Sequence, residues 1–179
     1  MLSSIELILL NIINHKATHA YEINKEIQQK NMRDWVKIGI ASVYQVLDRL
    51  EKKGLVVSQR ERVGKMPERK KYQITQLGKE LLRAGIKELI QAQENYYVNL
   101  NVGLECSDIL SREELIECLQ NRLEQVKTWL SNNKNVLSEQ ETDHLHERLV
   151  MENIVNFHET EKNFLEKCLE ELGRETVAN

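Results

Sequence analysis

Ile40-Ala41-Ser42-Val43-Tyr44-Gln45-Val46-Leu47-Asp48-Arg49-Leu50-Glu51-Lys52-Lys53-Gly54-Leu55-Val56-Val57-Ser58-Gln59-Arg60 changes its hydrophobic period partway along. Up to Lys53, apolar residues recur at i, i+3, i+4 and i+7 (Val43, Val46, Leu47, Leu50), which predicts a helix with one narrow apolar stripe. Its other face carries Ser42, Tyr44, Gln45, Asp48, Arg49 and Lys52. Gly54 behind Lys52 and Lys53 is the expected left-handed stop after a cationic last turn. From Leu55 the β-formers take over, and Leu55 to Arg60 reads as a strand.

Working outward, Lys70 to Ile74 reads as a second strand, with Gly64 and Pro67 marking the turn between the two. The stretch Gln59 to Tyr72 holds six cations (Arg60, Arg62, Lys65, Arg69, Lys70, Lys71) against Glu61 and Glu68, so positive charge rides on a hairpin. Upstream, Ser3 and Glu6 form a capping box for a helix to about Asn14, lined by Ile5, Ile8, Leu9 and Ile12. A second helix is expected from Ala20 to Lys30 with Ile23 and Ile27 inward, then a turn over 31–39 in which Trp35 lids the core. Three short helices followed by a basic hairpin is the layout of a winged helix-turn-helix. In that layout the third helix enters the major groove and the hairpin lies along the backbone.

The whole chain has 179 residues, 41% hydrophobic and 30% charged, with a net charge of −3. That figure conceals a split: residues 1–83 carry +7 and residues 84–179 carry −10. Two domains are therefore expected, 1–83 meeting a polyanion and a helical 84–179 with a different role. In the second part Thr75 is expected to cap a helix to about Asn99, with Leu77, Leu81, Leu82, Leu89 and Ile90 apolar, before a loop over 103–110. Ser111 with Glu114, and Ser138 with Glu141, then read as capping boxes for helices to about Ser131 and Leu172. The fold class expected is mainly α.

Several function classes drop out. Cys106, Cys118 and Cys168 are odd in number and never CxxC, so neither a disulfide framework nor a zinc knuckle is expected. The apolar stretch Leu7 to Ile13 falls far short of the ~20 residues of a membrane span, and no leader is read, which points to a soluble, cytoplasmic protein. His144 and His146 diverge on a helix, no phosphate-cradling glycine loop or G-x-S-x-G is present, and no enzyme, metal or cofactor is expected.

The chain resembles the PadR family of bacterial transcriptional regulators, named after a phenolic acid decarboxylase repressor, in three places. His19-Ala20-Tyr21-Glu22 is similar to the family's H-G-Y-E. Ser42 to Val56 is similar to S-x-Y-x-x-L-x-R-L-E-x-x-G-L-V, and Pro67 to Gly78 to P-x-R-K-x-Y-x-L-T-x-x-G. These motifs cover about the first 80 residues; the remainder resembles the longer-tailed subgroup in size and pattern. Ala20 stands where glycine is usual, and Met66 where arginine is common, with Lys65 able to substitute.

The resemblance implies a homodimer on double-stranded DNA. The DNA-binding candidates are Tyr21, Ser42, Tyr44, Gln45, Arg49, Lys65, Arg69 and Lys71. Ser42 caps the third helix, with or without a phosphate contact; Tyr44 meets phosphate or a base edge or packs as an ordinary aromatic; Tyr21 meets the backbone or packs against the third helix. Gln45 and Arg49 read bases or touch phosphate. Lys65, Arg69 and Lys71 are assigned to phosphate, Lys70 to the opposite face, and Tyr72 and Ile74 to the core of the wing. Tyr96, Tyr97 and Trp129, with Phe157 and Phe164, either line a small-molecule effector cavity or pack in a dimer. The function read is a sequence-specific regulator, a repressor on a pseudo-palindromic operator that an effector modulates. The alternative is a winged-helix protein-interaction module without specific DNA readout.

Overall fold

The computed structural model describes residues 2–62, 68–139 and 145–174, the stretch 134–139 by backbone alone. Gly64, Lys65, Met66, Pro67, Glu141 and His144 lie outside the described residues. The chain divides into two units, Met1–Asn95 and Tyr96–Asn179. The expected boundary at 83/84 falls inside the last helix of the first unit.

In the first unit, Ser3 opens α1 (Ser4–His15) through the expected box. The Glu6 backbone N–H donates to Ser3 Oγ at 3.3 Å, and the Ser3 N–H donates to Glu6 Oε2 at 2.9 Å. A two-residue strand, β1 (Thr18–His19), precedes α2 (Ala20–Gln29). Glu22 fixes that entry by accepting from the Thr18 hydroxyl at 2.6 Å and from the His19 N–H at 3.2 Å. α3 (Ile40–Lys52) follows, then β2 (Val56–Glu61), β3 (Arg69–Ile74) and α4 (Gln76–Gln91). The sheet order is β1-β3-β2, all antiparallel, with Thr18 opposite Tyr72 and Ser58 also opposite Tyr72. The expected hairpin of β2 and β3 is present, and β1 adds to β3 to make a three-stranded sheet. A strand of two residues leaves no readable alternation.

Leu9, Leu10, Ile13, Ile23, Ile27, Val43, Leu47 and Leu50 are fully buried where α1, α2 and α3 meet, and Tyr72 closes that core from the sheet. Each such aliphatic contributes about 1.5–3 kcal/mol. Ala20 lies in the same core, which has room for its methyl. Trp35 does not close over the core as expected: it is 40% exposed, and Met32 and Val36 cover that edge instead.

α4 begins as expected, with the Gly78 N–H donating to Thr75 Oγ1 at 3.0 Å. It stops at Gln91 rather than Asn99, where residues 92–95 offer no apolar side chain of size to bury. In the second unit, α5 (Asn99–Glu105) occupies part of the expected loop. α6 (Arg112–Glu139) starts from the Ser111–Glu114 box but runs on through Ser138, so Ser138 does not open a new helix. No glycine or proline stands between Ser131 and Glu139 to end it. α7 (Leu145–Arg174) packs along α6 over Leu119, Leu123, Val126, Leu130, Val155 and Leu165. Arg122 Nε donates across the seam to Glu161 at 2.7 Å. Among the described residues no helix is long and apolar enough to cross a membrane, and no cluster of three His, Cys, Asp or Glu can hold a metal ion.

Candidate nucleic-acid interface

The apolar stripe of α3 is wholly buried, so its polar face is turned to solvent. Tyr44 is 53% exposed; Gln45, Asp48, Arg49 and Lys52 are exposed beside it. Arg49 forms no ion pair among the described residues, while Lys52 meets Asp48 at 2.7 Å. Ser42 does not cap this helix. Gly39 is the residue in extended conformation before α3, and Ser42 already lies in the first turn with its N–H donating to the Gly39 carbonyl at 3.1 Å.

Both ends of α3 are tied down. Before it, Arg33 Nε donates to the Ile38 carbonyl at 3.1 Å and Arg33 Nη2 to Asn24 Oδ1 at 3.2 Å, fixing the turn from α2. Behind it, Gly54 takes φ +68°, as expected of the helix stop, and the Lys53 ammonium donates to the buried Glu6 carboxylate at 2.7 Å. Burial disfavours the charge on Glu6, but Lys53 and the Ser3 backbone outweigh it and hold the carboxyl below its usual range.

On the wing, strand alternation separates the cations as expected. Lys70 shares a face with Tyr72 and turns to α3, where it donates to Glu51 at 2.9 Å. The Ser58 hydroxyl also donates to Glu51. These two bonds, Ser58 first, keep the Glu51 carboxyl below its ordinary range and brace the last turn of α3 against both long strands. Arg69 and Lys71 lie on the other face. The Arg69 guanidinium sits 5.1 Å from the centre of the Tyr21 ring, and Tyr21 is 47% exposed. Lys71 donates to Glu61 at 3.1 Å, with His19 Nε2 3.7 Å from the same carboxylate and His19 Nδ1 3.0 Å from the Lys70 carbonyl.

The structure therefore brings Tyr21 and Arg69 together, with Lys71 on the same face of the strand, while Tyr44, Gln45 and Arg49 share the open face of α3; Lys65 falls outside the described residues. Sequence reasoning missed His19, Glu51, Glu61 and Glu6. All four act through partners distant in sequence, and only the capping role of Glu6 had a local signal. Exposed pairs such as Lys71–Glu61 and Arg60–Glu68 (3.3 Å) are weak, about 0–1 kcal/mol, and a row of phosphates can displace them.

The three effector candidates are not assembled in one cavity. Tyr96 meets Phe157 with ring centres 5.5 Å apart, Tyr97 is 91% exposed, and Trp129 stacks on His158 at 3.7 Å. Trp129 also lines an open depression of about 440 Å³ with Glu124, Gln125, Thr128 and Asn132.

Comparison with known proteins places these features in context. The family model described as "Transcriptional regulator PadR-like family" matches residues 9–84. An uncharacterized protein of Lysinibacillus sphaericus is 36% identical over 87 residues, 49% of this chain and 79% of that protein. Among solved structures, Bacillus subtilis PadR in complex with operator DNA is similar with a TM-score of 0.80 at 19% identity, covering 95% of this chain and 99% of that one. The same B. subtilis protein in complex with p-coumaric acid gives 0.76 at 17% identity over 94% and 98%. The Vibrio cholerae virulence activator AphA gives 0.72 at 18% identity over 96% and 99%. At these identities the structural likeness is one of fold.

Proposed function

The chain belongs to the PadR-like family of transcriptional regulators, a family of regulators rather than enzymes, and from that premise we propose that it binds a pseudo-palindromic DNA operator as a homodimer and represses by occupying it. One observation carries this reading: the face of α3 holding Tyr44, Gln45 and Arg49 is open to solvent, with the cationic strand of Arg69 and Lys71 in the same unit. α3 enters the major groove of one half-site, and half-sites lie about 10 bp apart or a multiple of that. Gln45 and Arg49 read base edges, as glutamine suits adenine and arginine suits guanine. Tyr21, Ser42, Tyr44, Arg69 and Lys71 hold phosphates and set the register.

Pairing is supported by apolar side chains that one chain leaves uncovered on α7, among them Leu145, Leu149, Phe157 and Phe164. The helical part is the dimerisation and effector domain in this reading. An effector shifts the population of DNA-competent dimers only as far as its affinity differs between the two states. The structure of B. subtilis PadR with p-coumaric acid supports a small-molecule effector, and Trp129 with its neighbouring depression is the candidate contact.

A salt titration on duplex DNA tests the proposal. A dimer neutralising ~8 phosphates gives a slope of log K against log salt near −7. A flat response on every duplex refutes it and favours a protein-interaction module.

A further inference from the structure

The DNA candidates read from sequence omit the one acid on the open face of α3. At ~100° per residue, Gln45, Asp48 and Lys52 lie within about 30° of the direction opposite the apolar stripe, while Tyr44 and Arg49 flank that ridge by about 70° on either side. Asp48 is thus more central than either flanking residue, and its side chain is 56% exposed. The hydrogen bond from Lys52 keeps its carboxyl below the ordinary range, so it is ionised at neutral pH.

We propose that Asp48 is a specificity-determining residue of the DNA interface, selecting a cytosine in each half-site through its N4 amino group. This rests on the operator-binding reading above. An ionised carboxylate only accepts hydrogen bonds. The major-groove edges offer two donors, cytosine N4 and adenine N6; guanine N7 and O6 and thymine O4 are acceptors that repel it. Adenine carries the acceptor N7 beside its donor, whereas the carbon beside cytosine N4 bears only hydrogen, so cytosine is the base that meets a carboxylate without an opposing lone pair. Lys52 neutralises part of the charge and leaves the second carboxylate oxygen for the base.

The test is selection from a randomised duplex pool by the full-length wild type, Asp48→Ala and Asp48→Asn, with circular dichroism melts to confirm that all three fold. Wild type enriches C·G at one symmetric position about tenfold or more over the other pairs. Asp48→Ala loses that preference and keeps the others, and Asp48→Asn moves it toward A·T, because an amide pairs with both adenine N6 and N7. An unchanged preference in the variants overturns the assignment, as does a uniform gain in affinity of Asp48→Ala on every duplex, since the acid then only repels phosphate. A wild type that binds no duplex even at low salt overturns the operator-binding reading as well.

Discussion

Replacing Gly78 by alanine sets a Cβ 2.2 Å from the carbonyl oxygen of Leu55 and 2.8 Å from Cγ1 of Ile74. The first is a backbone atom at the junction of α3 and the wing, and no rotamer change relieves it. The same carbonyl accepts the Thr75 N–H at 3.0 Å and the Thr75 hydroxyl at 3.1 Å, so backing α4 away stretches two hydrogen bonds. Overpacking costs about 1–3 kcal/mol and each weakened bond about 1 kcal/mol. Alanine in place of glycine returns about 1 kcal/mol of helix propensity. The net expectation is a loss of about 2–4 kcal/mol, a fall in Tm of at least about 8 °C for a unit of this size. Gly85 is the control, seven residues on in the same helix. Its Cβ meets the Leu7 side-chain end, Cδ2 at 2.7 Å, which can rotate aside, so Gly85→Ala stays within about 1 kcal/mol of wild type. Urea and thermal melts followed by circular dichroism at one fixed protein concentration measure both. Equal melting of the two variants refutes the argument that the Leu55 carbonyl sets the approach of α4.

Two further outcomes are expected. The double variant Arg69→Ala with Lys71→Ala weakens binding to all duplexes alike and reduces the salt slope of the dimer by about 3–4 in fluorescence anisotropy titrations; a changed base preference refutes their assignment to phosphate. Because Glu6 has a folded pKa below its unfolded value, its contribution is present above the unfolded value and is lost as pH falls through the folded one. The urea midpoint of wild type therefore drops from neutral pH into the range below about 4, and Glu6→Gln is weaker at neutral pH with a shallower acid limb. Parallel acid limbs refute the Glu6–Lys53 tie.

The elements readable along the chain were those whose signal is local. The stripe of Val43, Val46, Leu47 and Leu50, the boxes at Ser3 and Ser111, the Thr75 cap and the stop at Gly54 each act within one or two turns. A linear pattern therefore states them fully. The same locality placed Lys70 on one face of its strand and Arg69 and Lys71 on the other. Long-range closure was not legible. Thr18 and His19 become a strand only because Tyr72 and Lys71 lie opposite them, 52 or more residues on. α4 stops at Gln91, short of the expected Asn99, although its turns after Gly85 already carry no buried residue. Glu51 and Glu61 look like solvated acids in sequence, yet folding sets them against Lys70 and Lys71. Periodicity and caps are properties of neighbouring residues and survive in one dimension, whereas pairing, helix length and the partners of charges depend on which distant surface the folded chain brings within hydrogen-bond reach.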